Sequence, residues 1–280
     1  MRVILRWAAW GIRCLLGWPT TIAVPILGVR LYLLPQWRGC WKGIYVFRQR
    51  WFEVSEPELE FLKDLLKPGD IFIDAGAFHG WYTLLASRGV GTQGQVLAFE
   101  PNPDSFGVLK RNIDLNGCRN VRAFNVALSN AEERRWLYKG PNDGSQSSLA
   151  PVAGGIGRQE VRTRRLDDVM DELCLRRIDV MKIDVQGAEA TVLEGATGVL
   201  QSSSPVIIFE LAPGLARDMG LSERGVWDLL AVRGYRFYRL AKRRLQPLTD
   251  FPTLLEGQYI NIIAIPGQRE FEPRRGGLQY

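Results

Sequence analysis

From residue 58 onward, short uninterrupted apolar runs alternate with longer stretches whose apolar positions recur every three or four residues. The runs at 71–75, 95–100, 121–126, 178–184 and 205–211 are mostly apolar without a helical period, as strands covered on both faces are. The periodic stretches at 79–88, 103–116, 166–175, 188–200 and 222–233 predict helices between them. Ser55-x-x-Glu58 reads as a capping box that opens a further helix through about residue 66, and Asn116-Gly117 closes the helix before it. Two more strands are expected near 235–240 and 258–265. Weaker alternation near 136–138 and 160–163 brackets a Gly/Ser-rich loop, 140–157. Strand–helix alternation of this kind predicts an α/β, doubly wound, mostly parallel sheet with helices on both faces.

Chemistry enters at the carboxyl ends of those strands, where such a sheet holds its ligand. The ends carry Asp74, Glu100, Asn125, Asp184 and Glu210, more polar groups than packing alone accounts for. The first strand runs into Asp74-Ala-Gly-Ala-Phe-His-Gly80, and the second ends in Glu100-Pro-Asn102. Gly76 lets the backbone approach a ligand closely, which a side chain would block. Glu100 can accept both hydroxyls of a ribose. The spacing Gly76-x-x-x-Gly80 is not the G-x-G-x-x-G that wraps a pyrophosphate. Asp74 would repel a phosphate but suits the ammonium of an amino-acid tail. A ribose at one end and an amino acid at the other describe S-adenosylmethionine (SAM). The expected cofactor contacts are Asp74, Gly76, Ala77, Phe78, His79 and Gly80 in the loop. Glu100, Pro101 and Asn102 follow at the ribose, and Asn125, Val126 and Ala127 beside the adenine. His79, the sole histidine, reads as a loop or cofactor-lining residue rather than a base.

Around these motifs the chain resembles the FkbM-type family of SAM-dependent methyltransferases. The resemblance rests on Asp74, Gly76, Ala77, Gly80, Tyr82 and Thr83, then Glu100-Pro101-Asn102 and Ala127-Leu128-Ser129. It continues through Lys182-Ile183-Asp184-Val185-x-Gly187-x-Glu189 and Val192-Leu193-x-Gly195, and spans roughly residues 50–266. The family usually has Asn where Phe78 stands and often Glu where Gln186 stands. The resemblance implies a seven-stranded, Rossmann-like class I fold, with the last strands paired antiparallel. It also implies hydroxyl acceptors on sugars, glycolipids or natural products.

A sulfonium methyl is already activated, so the enzyme chiefly positions the acceptor oxygen and removes its proton. Asp184 is the first candidate base, with Lys182 to orient it; a purely structural ion pair is the alternative. Glu210 is the second candidate. Ser147 and Ser148, on a loop that can act as a lid, are substrate-side candidates together with Gln186 and Glu189, the last of which can instead brace its own loop. No metal ligands are expected. Lys242-Arg243-Arg244 reads as a headgroup or phosphate contact, or as a solvated turn. Two rival functions are a non-catalytic SAM-binding module and a nicotinamide enzyme, the latter opposed by the missing G-x-G-x-x-G.

Composition changes the picture mainly at the N-terminus. The four cysteines, Cys14, Cys40, Cys118 and Cys174, form no C-x-x-C pair, which favours reduced thiols. Residues 1–50 hold eight basic residues and no acid, leaving 28 basic against 30 acidic residues in the other 230. The basic pI therefore belongs to this segment, and a nucleic-acid-binding face on the catalytic domain is not expected. Six of the nine tryptophans (Trp7, Trp10, Trp18, Trp37, Trp41, Trp51) fall here or at the residue just after, and residues 14–29 carry no charge. Indoles and cations around an apolar run are the composition of a membrane interface. Pro19, Pro25 and the flanking Arg13 and Arg30 predict a shallow or broken helical segment rather than a crossing. A cleaved signal peptide is not expected, since no A-x-A site follows. The alternative is an arm packed on the domain or on a second subunit.

The organisation expected is thus a membrane-associating segment at 1–50, a methyltransferase domain at 51–268 and a tail at 269–280. The function expected is SAM-dependent O-methylation at the cytosolic membrane surface, or in the cytoplasm if the segment is an arm. A chain beginning near residue 50 should then fold unaided.

Overall fold

The computed structural model describes residues 2–25, 27–36, 40–47, 51–52, 56–141, 146–241, 244–255 and 257–268. Ser55, Trp37, Ser145, Lys242, Arg243 and the tail 269–280 lie outside them, and with them the capping-box serine and most of the basic patch.

The frame is a sheet of eight strands among the described residues. At its centre lie β3 (Ile71–Ala75), β4 (Gln95–Phe99), β5 (Val121–Phe124), β9 (Val180–Ile183) and β10 (Val206–Leu211). β11 (Tyr235–Ala241), β12 (Arg244–Leu248) and β13 (Ile260–Pro266) complete it in the order β12-β11-β13-β10-β9-β3-β4-β5. The five central strands are parallel; β13 runs antiparallel between β10 and β11, and β12 returns antiparallel on β11. The sheet therefore exceeds the expected seven by β12, whose sequence Arg-Leu-Gln-Pro-Leu has too little apolar content to announce a strand. β3 and β10 are buried along their whole length.

Connecting helices are α3 (Glu58–Leu65), α4 (Trp81–Val90), α5 (Pro103–Leu115) and α6 (Leu166–Glu172), close to expectation. The single helix expected over 188–200 is two: α7 (Glu189–Glu194) and α8 (Thr197–Ser202). Gly195 lies so close to the Ser129 carbonyl that a Cβ would collide. The Asp167 carboxylate then accepts the N–H groups of Gly198 (2.9 Å) and Val199 (3.0 Å), starting a fresh helix. After β10 come α9 (Pro213–Asp218), unexpected from the periodicity, and α10 (Gly225–Ala231). The two alternating segments form β7 (Arg134–Lys139) and β8 (Gly157–Arg164), paired antiparallel, with β6 (Ala127–Leu128) alongside.

The N-terminal segment departs from expectation. α1 (Arg2–Leu16) is followed by a hairpin, β1 (Thr20–Val24) and β2 (Val29–Leu33), then α2 (Cys40–Phe47). Run 14–29 is thus no broken helix. Thr20, Thr21, Ile22 and Val24 favour a strand, and Pro25 and Gly28 (φ +64°) shape the turn. The hairpin docks on α5: Asn112 and Asn116 accept the N–H groups of Tyr32 (2.7 Å) and Arg30 (2.8 Å). Trp10, Leu31, Trp41 and Phe52 belong to one apolar core with Phe72 and Leu84 of the sheet and α4. Packing therefore runs straight across residue 50, as the packed-arm alternative requires. No helix among the described residues is long and apolar enough to cross a membrane.

Candidate active site

The loop after β3 folds back beneath the strand tips. Gly76 and Ala77 both donate their N–H to the Phe99 carbonyl (2.9 Å each), and Asp184 donates its N–H to the Ala75 carbonyl (2.9 Å). Gly76 has φ +83°, and a Cβ there would strike the Asp184 carbonyl. Glycine is demanded at this position both by conformation and by the approach of β9. Phe78 is also left-handed, at φ +48°. Asn tolerates that region far better than Phe.

Phe78 N–H donates to Glu100 Oε2 and Asn102 N–H to Oε1, both at 2.8 Å. Each carboxylate oxygen keeps a further lone pair. Burial raises the Glu100 pKa to about 7, against the two N–H bonds that lower it. Asn125 donates to the carbonyls of Glu100 (2.8 Å) and Pro101 (3.1 Å), and Asn102 caps α5 through Asp104 N–H (3.0 Å). Both asparagines shape the turn that presents Glu100.

A cavity of about 680 Å³ opens over these tips, within the range that encloses a small organic ligand. Of the expected cofactor contacts, Gly76, Ala77, Phe78, Glu100, Pro101 and Ala127 line it. Asp74, His79, Gly80, Asn102, Asn125 and Val126 are not among its lining residues. Asp74 is sealed beneath the loop, where it accepts the Thr83 hydroxyl. Burial raises its pKa to about 6. His79 stacks on Trp41 at 4.1 Å and 18°, so it fastens the loop to α2 rather than lining the cofactor. Gly80 caps α4, where a Cβ would meet Leu109.

Asp184, Gln186 and Glu210 line the same cavity, as do Ser147 and Ser148. Lys182, 1% exposed, lies below them. Its Nζ donates to Asp184 Oδ2 (3.3 Å) and Asn261 Oδ1 (3.1 Å), and sits 5.3 Å from the Tyr82 ring centre. Burial opposes its charge, but Asp184, Glu210, Glu56 and Glu58 more than offset that and raise its pKa. Gln186 Nε2 donates to both Asp184 Oδ1 (2.9 Å) and Glu210 Oε2 (3.0 Å), clamping two carboxylates together. Burial, then the charge of Asp184, pushes the Glu210 pKa far above the usual carboxylate range. Ser148 donates to the Gln186 carbonyl (2.8 Å), tying the described end of loop 140–157 over this clamp. Glu189 accepts the N–H groups of Val185 (3.1 Å) and Gly187 (3.2 Å) and braces the loop instead of facing the cavity.

Two residues on this site carry no mark in the strand-end reading. Glu56 lines the cavity and accepts the Tyr82 hydroxyl at 3.0 Å. Burial raises its pKa to about 7, with Lys182 pulling the other way. Asn261, the lone polar residue in an apolar final strand, was the one visible signal for the second Lys182 partner. On the cavity wall, Ser147 Oγ and Trp81 Nε1 are buried and have no hydrogen-bond partner among the described residues.

SAM fits this donor set. Glu100 offers two remaining lone pairs to a ribose, the glycine loop leaves no side chain in the way, and Phe99, Ala127 and Leu128 offer an apolar bed for a base. The pattern of the FkbM methyltransferase domain matches residues 74–237. The chain is 30% identical to methyltransferase sdnD of Sordaria araneosa, over 53% of this chain and 73% of that one. It is 28% identical to the 2-O-methyltransferase NoeI of Sinorhizobium fredii, over 59% and 73%. It is 26% identical to the hexuronic acid methyltransferase AglP of Haloferax volcanii, over 58% and 65%. The matched span begins at Asp74 and runs through the glycine loop, Glu100 and the Lys182–Glu189 stretch into β11. On that evidence the chain belongs to the FkbM methyltransferase family and is an enzyme that draws its methyl group from SAM.

Proposed function

We propose that this enzyme is an O-methyltransferase whose acceptor is a hydroxyl of a sugar, a glycolipid or a related small molecule. The observation that carries the reading is the cluster of Asp184, Gln186 and Glu210 on the same cavity as Glu100, with Lys182 buried beneath it. Asp184 is about one-third open while Lys182 beneath it is closed off. This is the arrangement of a carboxylate held in one rotamer by a buried cation and left with a free lone pair toward a ligand.

When bound, SAM supplies an activated methyl group. Glu100 would take the ribose hydroxyls, and the backbone of Gly76 and Ala77 would hold the amino-acid end. Asp184 orients the acceptor hydroxyl and receives its proton. Lys182 and the Gln186 amide stabilise the carboxylate while it waits, and Glu210, favouring its protonated form, spares the clamp a second full charge. Trp51, Phe78 and Trp81 give the cavity an aromatic wall, suited to the apolar face of a sugar ring. The unpartnered Trp81 N–H and Ser147 hydroxyl fit ring oxygens and hydroxyls. The names of NoeI and AglP, a 2-O-methyltransferase and a hexuronic acid methyltransferase, support the same acceptor class.

The test is methyl transfer from isotope-labelled SAM to a panel of free hexuronic acids, oligosaccharides and glycolipid extracts, with products read by tandem mass spectrometry. Label on an acceptor oxygen, lost in Asp184→Asn, is the expected result. Label on nitrogen or carbon, or full activity in Asp184→Asn, would overturn the proposal.

A further inference from the structure

α1 is inverted relative to an ordinary surface helix. A surface helix turns its apolar stripe inward and its charges outward. Here Trp10, at 1% exposure, and the half-buried Cys14 pack on the core, while Ile4 (72%), Leu5, Ile12, Leu15 (77%) and Leu16 are exposed. These five, with Ala8 among them, occupy one face of the helix, and no charged residue interrupts it. The cations stand on its flank toward the protein. Arg6 donates to the Val46 carbonyl (3.0 Å) and Arg13 to the Pro19 carbonyl (3.1 Å). Lys42 lies 4.6 Å from the centre of the exposed Trp7 ring. An apolar patch of this kind, contiguous and rimmed by polar groups, marks a surface that something covers.

We infer that the outward face of α1 docks the enzyme in the plane of an anionic lipid surface. Two observations select a bilayer over a second protein copy, and a third sets how the helix lies on it. The first 52 residues contain eight cations and no acid, so the segment that carries the patch complements lipid phosphate in charge and is repelled electrostatically by a second copy of itself. Exposed Trp7 and Trp18 stand on the helix and just past its end, where indoles favour the headgroup level. At 15 residues the helix is about 22 Å long, short of the ~30 Å hydrocarbon core, and its polar flank is anchored on α2, so it lies flat instead of crossing. The docking element is also continuous with the site: α1 packs on α2, whose Cys40 lines the cavity and whose Trp41 stacks on His79 of the cofactor loop. The inference does not rest on the acceptor being a sugar.

Full-length protein is mixed with vesicles of zwitterionic lipid and with vesicles containing anionic lipid, and flotation is scored with SAM affinity measured in parallel. Flotation with anionic vesicles, at least tenfold reduced in Ile12→Glu and Leu15→Glu while SAM affinity and melting temperature stay at wild-type values, is the expected outcome. Those two side chains touch neither the cavity nor the core, so the fold has no reason to fail. Equal flotation of wild type and variants, or no flotation together with a dimer in solution that the same variants dissociate, would overturn the inference; the second result would give the face to a second copy. Because the readout is vesicle binding, its failure is distinct from failure to methylate any acceptor.

Discussion

Lys182 draws its environment from near and far in the sequence: Asp184 two positions on, Asn261 from β13 two strands away, and the Tyr82 ring from α4. That convergence makes Asp184→Asn the most informative single change at the reacting end. It removes a general base, which typically costs 10²–10⁴-fold in rate, and keeps the hydrogen bonds that position Gln186. Turnover should fall within about that range with SAM affinity unchanged, as steady-state kinetics beside calorimetry would read. A second change tests the clamp. Gln186→Glu places a third carboxylate against Asp184 and Glu210, and like charge raises the pKa of each neighbour. The acidic limb of the pH–rate profile should move to higher pH; an unmoved limb would show that position 186 does not couple to the base. Asp74, Glu100, Asp184 and Glu210 were all legible as polar ends of apolar strands. Asp74 nonetheless turns out to hold the loop from below, because its carboxylate meets Thr83 before it can meet a ligand. Glu56 was illegible, since nothing in its local sequence shows that it will meet Tyr82 across the cavity.

Elements were legible in proportion to their burial. β3, β4 and β10 are mostly apolar and match the expected bounds to within a residue, whereas β12, exposed and bearing Pro247, has no such signature. The break between α7 and α8 depends on Gly195 meeting Ser129 and on Asp167 reaching α8, contacts that periodicity cannot contain. The same reason hid the hairpin β1–β2, whose partners are Asn112 and Asn116 on α5. At this scale the link between α2 and the cofactor loop is testable. Trp41→Ala removes a buried indole and should cost about 3–5 kcal/mol of stability, the usual loss for a large core aromatic. It should also weaken SAM binding, because His79 loses the ring that fixes its loop. A thermal melt and a SAM titration on one preparation would check both; a loss of stability with unaltered affinity would mean that the loop is held without Trp41.

Over the whole molecule, the N-terminal segment and the sheet share one core. A chain beginning near residue 50 should therefore melt far below the full-length protein or aggregate, contrary to what composition alone suggests; differential scanning calorimetry decides. The buried carboxylates give the fold a pH dependence of definite sign. Burial holds Glu56, Glu100 and Glu189 at about 7 and Asp74 at about 6, above their usual values near 4. The native state keeps protons that the unfolded chain has released, so the contribution of these four groups to stability is fully present below the unfolded values and is lost as pH rises through 6 to 7. The SAM-free protein should melt lower at pH 8 than at pH 6. SAM should reverse part of that loss, since a ribose pair favours ionised Glu100, and its affinity should weaken by up to about tenfold per pH unit below 7. The central claim, that SAM is held at the strand tips by Glu100, is most directly tested by calorimetric titration of SAM into wild type and Glu100→Ala at pH 8. Two charge-assisted hydrogen bonds, worth roughly 1.5–3 kcal/mol each, should disappear. We expect one SAM per chain in wild type and at least tenfold weaker binding in the variant, which still melts cooperatively. Equal affinity in the two proteins would contradict the account.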